Sequence, residues 1–351
     1  MRSGLYCTAR NVGAVLSALL PVLLNSPALA VDRDIFAGKT ISILVGFGPG
    51  GGYDLYARAL ARHMARHIPG NPTMLVQNMA GAGSLRAVNY LFNAAPRDGT
   101  VLATFARGIV LEPLFGHSEG AQFDPARLGW IGSVSNETSV CAFMAESGIK
   151  VWQDMQSKNY TIGASDSGAD SDVFPQVLRN LFHLPLRVVV GYPGGADIVL
   201  AMQRHEVDGR CGWSWSSLIS RDRTLYDNKQ INIPVQLALQ RHEDLPDVPS
   251  IMELADAEQK PLLRLIISRQ IMARPFAAPP GVEPERLQIL RAAFDATMQD
   301  PQFVEEAKRL ALEVRAVTGV DIEALLGEVL ASPPDIIRRA AETMVDVNGR
   351  H

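Results

Sequence analysis

The stretch VGFGPGGGYDLYAR, Val45 to Arg58, joins a β-branched run to an amphipathic one through five glycines and a proline. Gly46, Gly48 and Gly51 meet the G-x-G-x-x-G spacing of a dinucleotide-binding turn. Such a site also needs an acidic side chain at the end of the next strand to hold a ribose. That run, TMLVQN, ends in Gln77 and Asn78. Pro49 removes one of the N–H groups a phosphate cradle would use, and no Gly-Lys-Ser/Thr follows. What remains is a strand turning into a helix N-terminus with backbone N–H groups and the positive end of the helix dipole exposed. That arrangement suits any small anion, a carboxylate included. No cofactor is expected.

Outward from this loop, TISILVGF reads as a strand, and Tyr56, Leu60, Met64 and Ile68 recur at i+4 steps in the helix that follows, with Arg58, Arg62 and Arg66 on another face. TMLVQN meets a second small-residue turn, Gly81-Ala82-Gly83-Ser84, and a helix from Leu85 to Ala95. APRDGTVLATF then gives a third strand. SVCAFMA, from Ser139, opens a second region of the same rhythm. Its expected strands are Tyr160 to Ala164, Arg187 to Val190, Val207 to Cys211 and Asn232 to Leu239; its helices are Ser171 to Phe182 and Ala196 to Arg204. The tail adds a strand at Gln270 to Ala273 and helices from Pro284, Pro301 and Val320. Strand, turn and helix in alternation predict an α/β protein with mainly parallel sheets flanked by helices. Two such units, with the tail completing the first, predict one lobe of residues 31–138 and 237–351 and a second lobe of residues 139–236.

The 351 residues are 47% hydrophobic and 20% charged, with a net charge of −4, which offers no basic surface for nucleic acid. Arg2 and Arg10, the apolar run Val12 to Leu24 and the ALA at Ala28 to Ala30 have the form of a secretory signal cut after Ala30, so a periplasmic location is expected. Cys141 and Cys211 then remain. An even count in an exported protein favours a disulfide between them, and two buried thiols are the alternative. Neither has neighbours at metal-ligand spacing. His63 and His67, at i and i+4 on the arginine-bearing helix, lack a third ligand and are expected on a solvated edge, so no metal is expected.

Taken in order, ISILVGFGPGGGYDLYARALARHM, MLVQNMAGAGSLRAVNYL, AAPRDGTVL, YTIGASDSGADSDVFPQVLRNLF, VVVGYPGGADIVLAMQRHEVDG, LPDVPSIMEL and MARPFAAPPGVEPERLQILRAAFDATMQDPQF resemble the Bug-type solute receptors of tripartite tricarboxylate transporters. The resemblance spans nearly the whole chain after Ala30. It implies a two-lobed type II periplasmic binding protein fold, with the lobes joined by two crossing strands. It implies capture of a small organic acid between the lobes, delivery to membrane permease subunits, a monomer and no enzymatic chemistry. An exported sensor presenting the solute to a receptor kinase is an alternative, and a hydrolase a weaker one that no G-x-S-x-G elbow supports.

Carried over by residue, the resemblance places Phe47, Pro49, Gly50, Gly51, Gly52 and Asp54 in the family's first ligand loop, with Tyr53 where relatives have threonine. Gly81 and Gly83 match the second turn. Gly168, Asp170 and Ser171 stand in the facing loop, where Asp170 would repel a carboxylate if it points inward. Tyr192 and Gly194 keep the pattern of a further loop. Trp213, with Trp215, would form an aromatic wall or else belong to the core. Arg107 and Arg210 are candidate partners for a carboxylate.

Overall fold

The computed structural model describes Met1 and residues 35–115, 120–165 and 169–345. The expected signal segment of residues 1–30, its cut after Ala30, and Gly168 lie outside the described residues. Among the described residues, eleven strands fall into two mixed sheets. The first contains β1 (Thr40–Val45), β2 (Thr73–Asn78), β3 (Val101–Thr104), β4 (Gly129–Ser133), β10 (Pro275–Ala278) and β11 (Val317–Thr318), in the order β11-β4-β10-β3-β1-β2. The second contains β5 (Ser139–Met144), β6 (Tyr160–Gly163), β7 (Leu186–Val189), β8 (Gly209–Ser214) and β9 (Ile231–Leu237), in the order β7-β6-β8-β5-β9. β1 pairs in parallel with β2 and β3, and β6 with β7 and β8, while β10, β11, β5 and β9 run antiparallel to their neighbours.

Period-two alternation decides which face each strand side chain covers. In β1, Ile41, Ile43 and Val45 join the core beneath the helices Gly52–Met64, Pro284–Met298 and Pro301–Arg309, and Leu44 points to the other side. In β5, Val140, Ala142 and Met144 face the core with Ile198, Met202 and Trp213, while Cys141 and Phe143 face a core that runs on into the first sheet. Every residue of β5 is buried, as expected of a strand covered on both faces. Cys141 and Cys211 are disulfide-bonded and tie β5 to β8.

Two segments cross between the sheets, one leading from β4 to β5 and the other returning to β10. They run side by side: Val134 N–H donates to Arg274 O, Ala273 N–H to Ser135 O and Glu137 N–H to Gln270 O. The strand expected at Gln270 to Ala273 is therefore not a sheet strand. Ser268–Gln270 is a 3-10 turn, and the regular ladder begins at Pro275. β4 was hidden by its two glycines, and the helix Pro334–Thr343 was not anticipated. His63 is also not on a solvated edge. It is 7% exposed, packs on Phe303 and meets Glu306 at 2.5 Å, because the helix Pro301–Arg309 lies alongside. No helix of the described residues is long and apolar enough to cross a membrane.

Candidate ligand-binding site

The glycine loop after β1 is organised by Asp54. Its carboxylate accepts from Gly50 N–H, Asn78 Nδ2 and the Arg58 guanidinium, each at 2.9 Å, and Asn78 Nδ2 also donates to Phe47 O. Asp54 is 2% exposed, and these donors, led by Arg58, hold its pKa down at about 2. Part of the anion-cradle chemistry is thus met from within the loop. Gly48, Pro49, Gly50, Gly51 and Gly52 are exposed, and the helix opening at Gly52 has no side-chain cap. Gly81 and Gly83 of the second turn are exposed as well, whereas Ser84 is buried. The Ser84 hydroxyl donates to Gly46 O and accepts from Ala106 N–H, which binds three strand-end loops together. A Cβ on Gly46 would stand 2.6 Å from that of Ser84, so close packing explains this glycine without a ligand.

Tyr53 is the loop's inward residue. Its ring stacks on Phe47 at 4.6 Å, and its hydroxyl accepts from the Arg107 backbone N–H at 3.1 Å. The Arg274 guanidinium covers the same ring at 4.8 Å and that of Tyr56 at 5.3 Å. Burial pushes the Tyr56 phenol up to about 12, and it donates to Glu313 O.

From the second sheet, the helix Asp170–Phe182 points its first residue at this group. Asp170 pairs with Arg107, and its other oxygen lies 3.6 Å from Arg269. The helix can approach because Gly212 of β8 has φ +66° and no side chain; a Cβ there would lie 2.3 Å from Asp170 O. Ser171 is 5% exposed and closes its own loop, its Oγ accepting from Ser165 N–H and bonding to the Ser165 hydroxyl. Three arginines therefore meet between the sheets: Arg107 after β3, Arg269 in the crossing turn and Arg274 at the entry to β10. Burial lowers Arg107 and Arg269 to about 10, and the two other guanidinium groups lower Arg107 further against the pull of Glu137. Both remain charged at neutral pH.

Buried polar atoms are normally hydrogen-bonded. Among the described residues, those without a partner in the chain include Arg107 Nη1, Arg269 Nε and Nη2, Arg274 Nε, Gln270 Oε1, Ser135 Oγ and Thr104 Oγ1. All seven lie on β3, the loop after it, or the paired crossings. Unmet donors of buried guanidinium groups are what a bound anion would satisfy. Arg269 and Arg274 were not anticipated. The signal was present in SRQIMARPF, where arginines bracket an apolar run. No metal-binding group of three or more His, Cys, Asp or Glu occurs among the described residues.

The remaining expected residues make other contacts. Trp213 and Trp215 are 1% and 3% exposed, and both pack in the second sheet's core. Arg210 covers Trp213 at 5.1 Å, donates to Gly195 O, and is lowered to about 10 by burial. Tyr192 is half-buried beside Gly163, and burial raises its phenol; Gly194 precedes the helix Gly195–Gln203. Two surface hollows of about 430 Å³ each also lie elsewhere, one lined by Asn180, Asp256 and Arg339 and the other by Thr161, Arg187 and Asp208.

No family model matches the chain. A UPF0065 protein encoded between tcbD and tcbE in Pseudomonas sp. strain P51 is 24% identical over 320 residues, covering 86% of this chain and 87% of the relative. The crystal structure of a TctC solute-binding protein from Polaromonas superposes with a TM-score of 0.67 at 16% identity, covering 86% of this chain and 98% of that one. MatC of Rhodopseudomonas palustris with bound malate superposes with a TM-score of 0.57 at 16% identity, covering 88% and 99%. The resemblance read from the sequence is borne out by these likenesses, and the fold is that of two-lobed periplasmic binding proteins.

Proposed function

We propose that this chain is a periplasmic solute-binding protein that captures a small organic carboxylate between its two sheets and delivers it to a tripartite tricarboxylate-type permease. The observation that carries the reading is the set of unmet guanidinium donors on Arg107, Arg269 and Arg274, gathered where the two crossing segments pair. Tyr53, Asp170 and Ser171 frame that point from the two sides, and the glycine loop positions Tyr53. The crossing segments are the hinge about which the lobes would close on the solute. Malate in the R. palustris neighbour is consistent with an organic acid as the guest.

A thermal-shift screen of the purified protein against organic acids, their amides and nucleotides tests this. An organic acid is expected to raise the melting temperature, and Arg274→Ala to weaken its binding at least about tenfold, since a hydrogen bond to a charged group contributes about 1.5–3 kcal/mol. A shift with nucleotides and none with any carboxylate would falsify the reading.

A further inference from the structure

We propose that Asp170 sets the charge class of the ligand, so that the cleft takes a monocarboxylate whose far end donates hydrogen bonds and turns away dicarboxylates. This rests on the carboxylate reading above and narrows it.

The donor side of the cleft has room for one carboxylate. Asp170 already engages Arg107 and Arg269, and Arg274 Nη1 donates to Ala273 O at 2.8 Å. The guanidinium atoms left without a hydrogen bond are Arg107 Nη1, Arg269 Nε and Nη2, the last with only its 3.6 Å approach to Asp170, and Arg274 Nε. An ionised carboxylate offers about four lone-pair positions, so a single group meets that set.

The charged groups that remain around the donors are acceptors. Asp170 itself is 17% exposed at its side chain and sets its carboxyl against the arginines. Glu137, 2% exposed on the first crossing, acts on Arg107 and is met by the Ser216 hydroxyl at 3.4 Å from each carboxylate oxygen. Glu112 acts electrostatically on Arg269. Gln270 Oε1 is buried with no partner. A second carboxylate entering here would face like charge with only the neutral Ser135 and Thr104 hydroxyls left to donate, a juxtaposition that binding sites use to exclude wrong partners. A hydroxyl, amide or ammonium would find acceptors. Asp170 thus fills from within the chain the place a diacid's second carboxylate would take.

The test is calorimetric titration of purified protein with two matched pairs, succinate against succinamate and adipate against its monoamide. It is repeated on Asp170→Asn and Asp170→Ser after each variant is shown to melt cooperatively. Wild type is expected to bind the monoamide at least about tenfold tighter than the diacid in one pair or both. In Asp170→Asn the diacid should gain until the ratio falls below about threefold. A wild-type protein that binds the diacid as well or better overturns the assignment while leaving the carboxylate reading intact. An unchanged ratio in the folded variants overturns it too, as does wild-type protein that binds none of the four probes. Should both variants fail to fold, the wild-type ratio decides the charge class alone.

Discussion

Asp54 shows how a residue can belong to a ligand loop by sequence and serve the loop itself in the structure. Its pKa of about 2 lies below the ordinary aspartate value of 3.8, so its stabilising effect is complete above the unfolded value and is lost as the pH falls through the folded one. A shift of that size corresponds to about 2 kcal/mol, released between about pH 4 and pH 2. Urea unfolding of Asp54→Asn should therefore show roughly that loss at pH 7 and a shallower decline than wild type toward acid. Parallel acid limbs in the two proteins would count against this role. The glycines and Tyr53 were legible because turn chemistry is local. The pairing of Asp54 with Asn78, and of Asp170 with Arg107, was not, because it joins residues 24 and 63 positions apart.

At the scale of elements, most strands and most of the longer helices could be read from periodicity and turn residues, within one to three residues at their ends. The exceptions have separate causes. β4 is short and contains two glycines, and the segment Ile271 to Ala273 is apolar because it is buried in a crossing rather than in a sheet. The Cys141–Cys211 bond joins strands β5 and β8, which are already paired. It also closes a loop with a sequence separation of 70, for which chain-entropy arguments give about 4 kcal/mol at most. Cys141→Ser with Cys211→Ser is expected to lower unfolding stability by about 2–4 kcal/mol with the fold kept. Equal denaturation midpoints for the variant and for oxidised wild type would show that the bond adds nothing. The helix Gly52–Met64, which carries the glycine loop at its start, is anchored at its other end through Arg62, His63, Arg66 and His67 to Glu306, Gln302 and Asp300. The glycine loop is thereby held on a fixed support.

For the molecule as a whole, the position of β10 has a consequence for how the chain reaches its native state. β10 stands between β3 and β4, yet it lies more than 140 residues after β4 in the chain. The second sheet is built from one unbroken stretch, β5 to β9, so the pairing among its strands needs no strand that follows. The first remains split into a β1–β2–β3 fragment and a lone β4 until residues 275–278 arrive. Long-range pairing of this kind is slow because the loop must close before any contact rewards it. Pulse-labelled hydrogen exchange during refolding should protect β5, β6 and β8 before β4. Simultaneous protection would mean that the order of assembly is not set by connectivity. The arginine cleft takes Arg107 from the early fragment and Arg274 from the late strand, so ligand affinity should be the last property the molecule acquires.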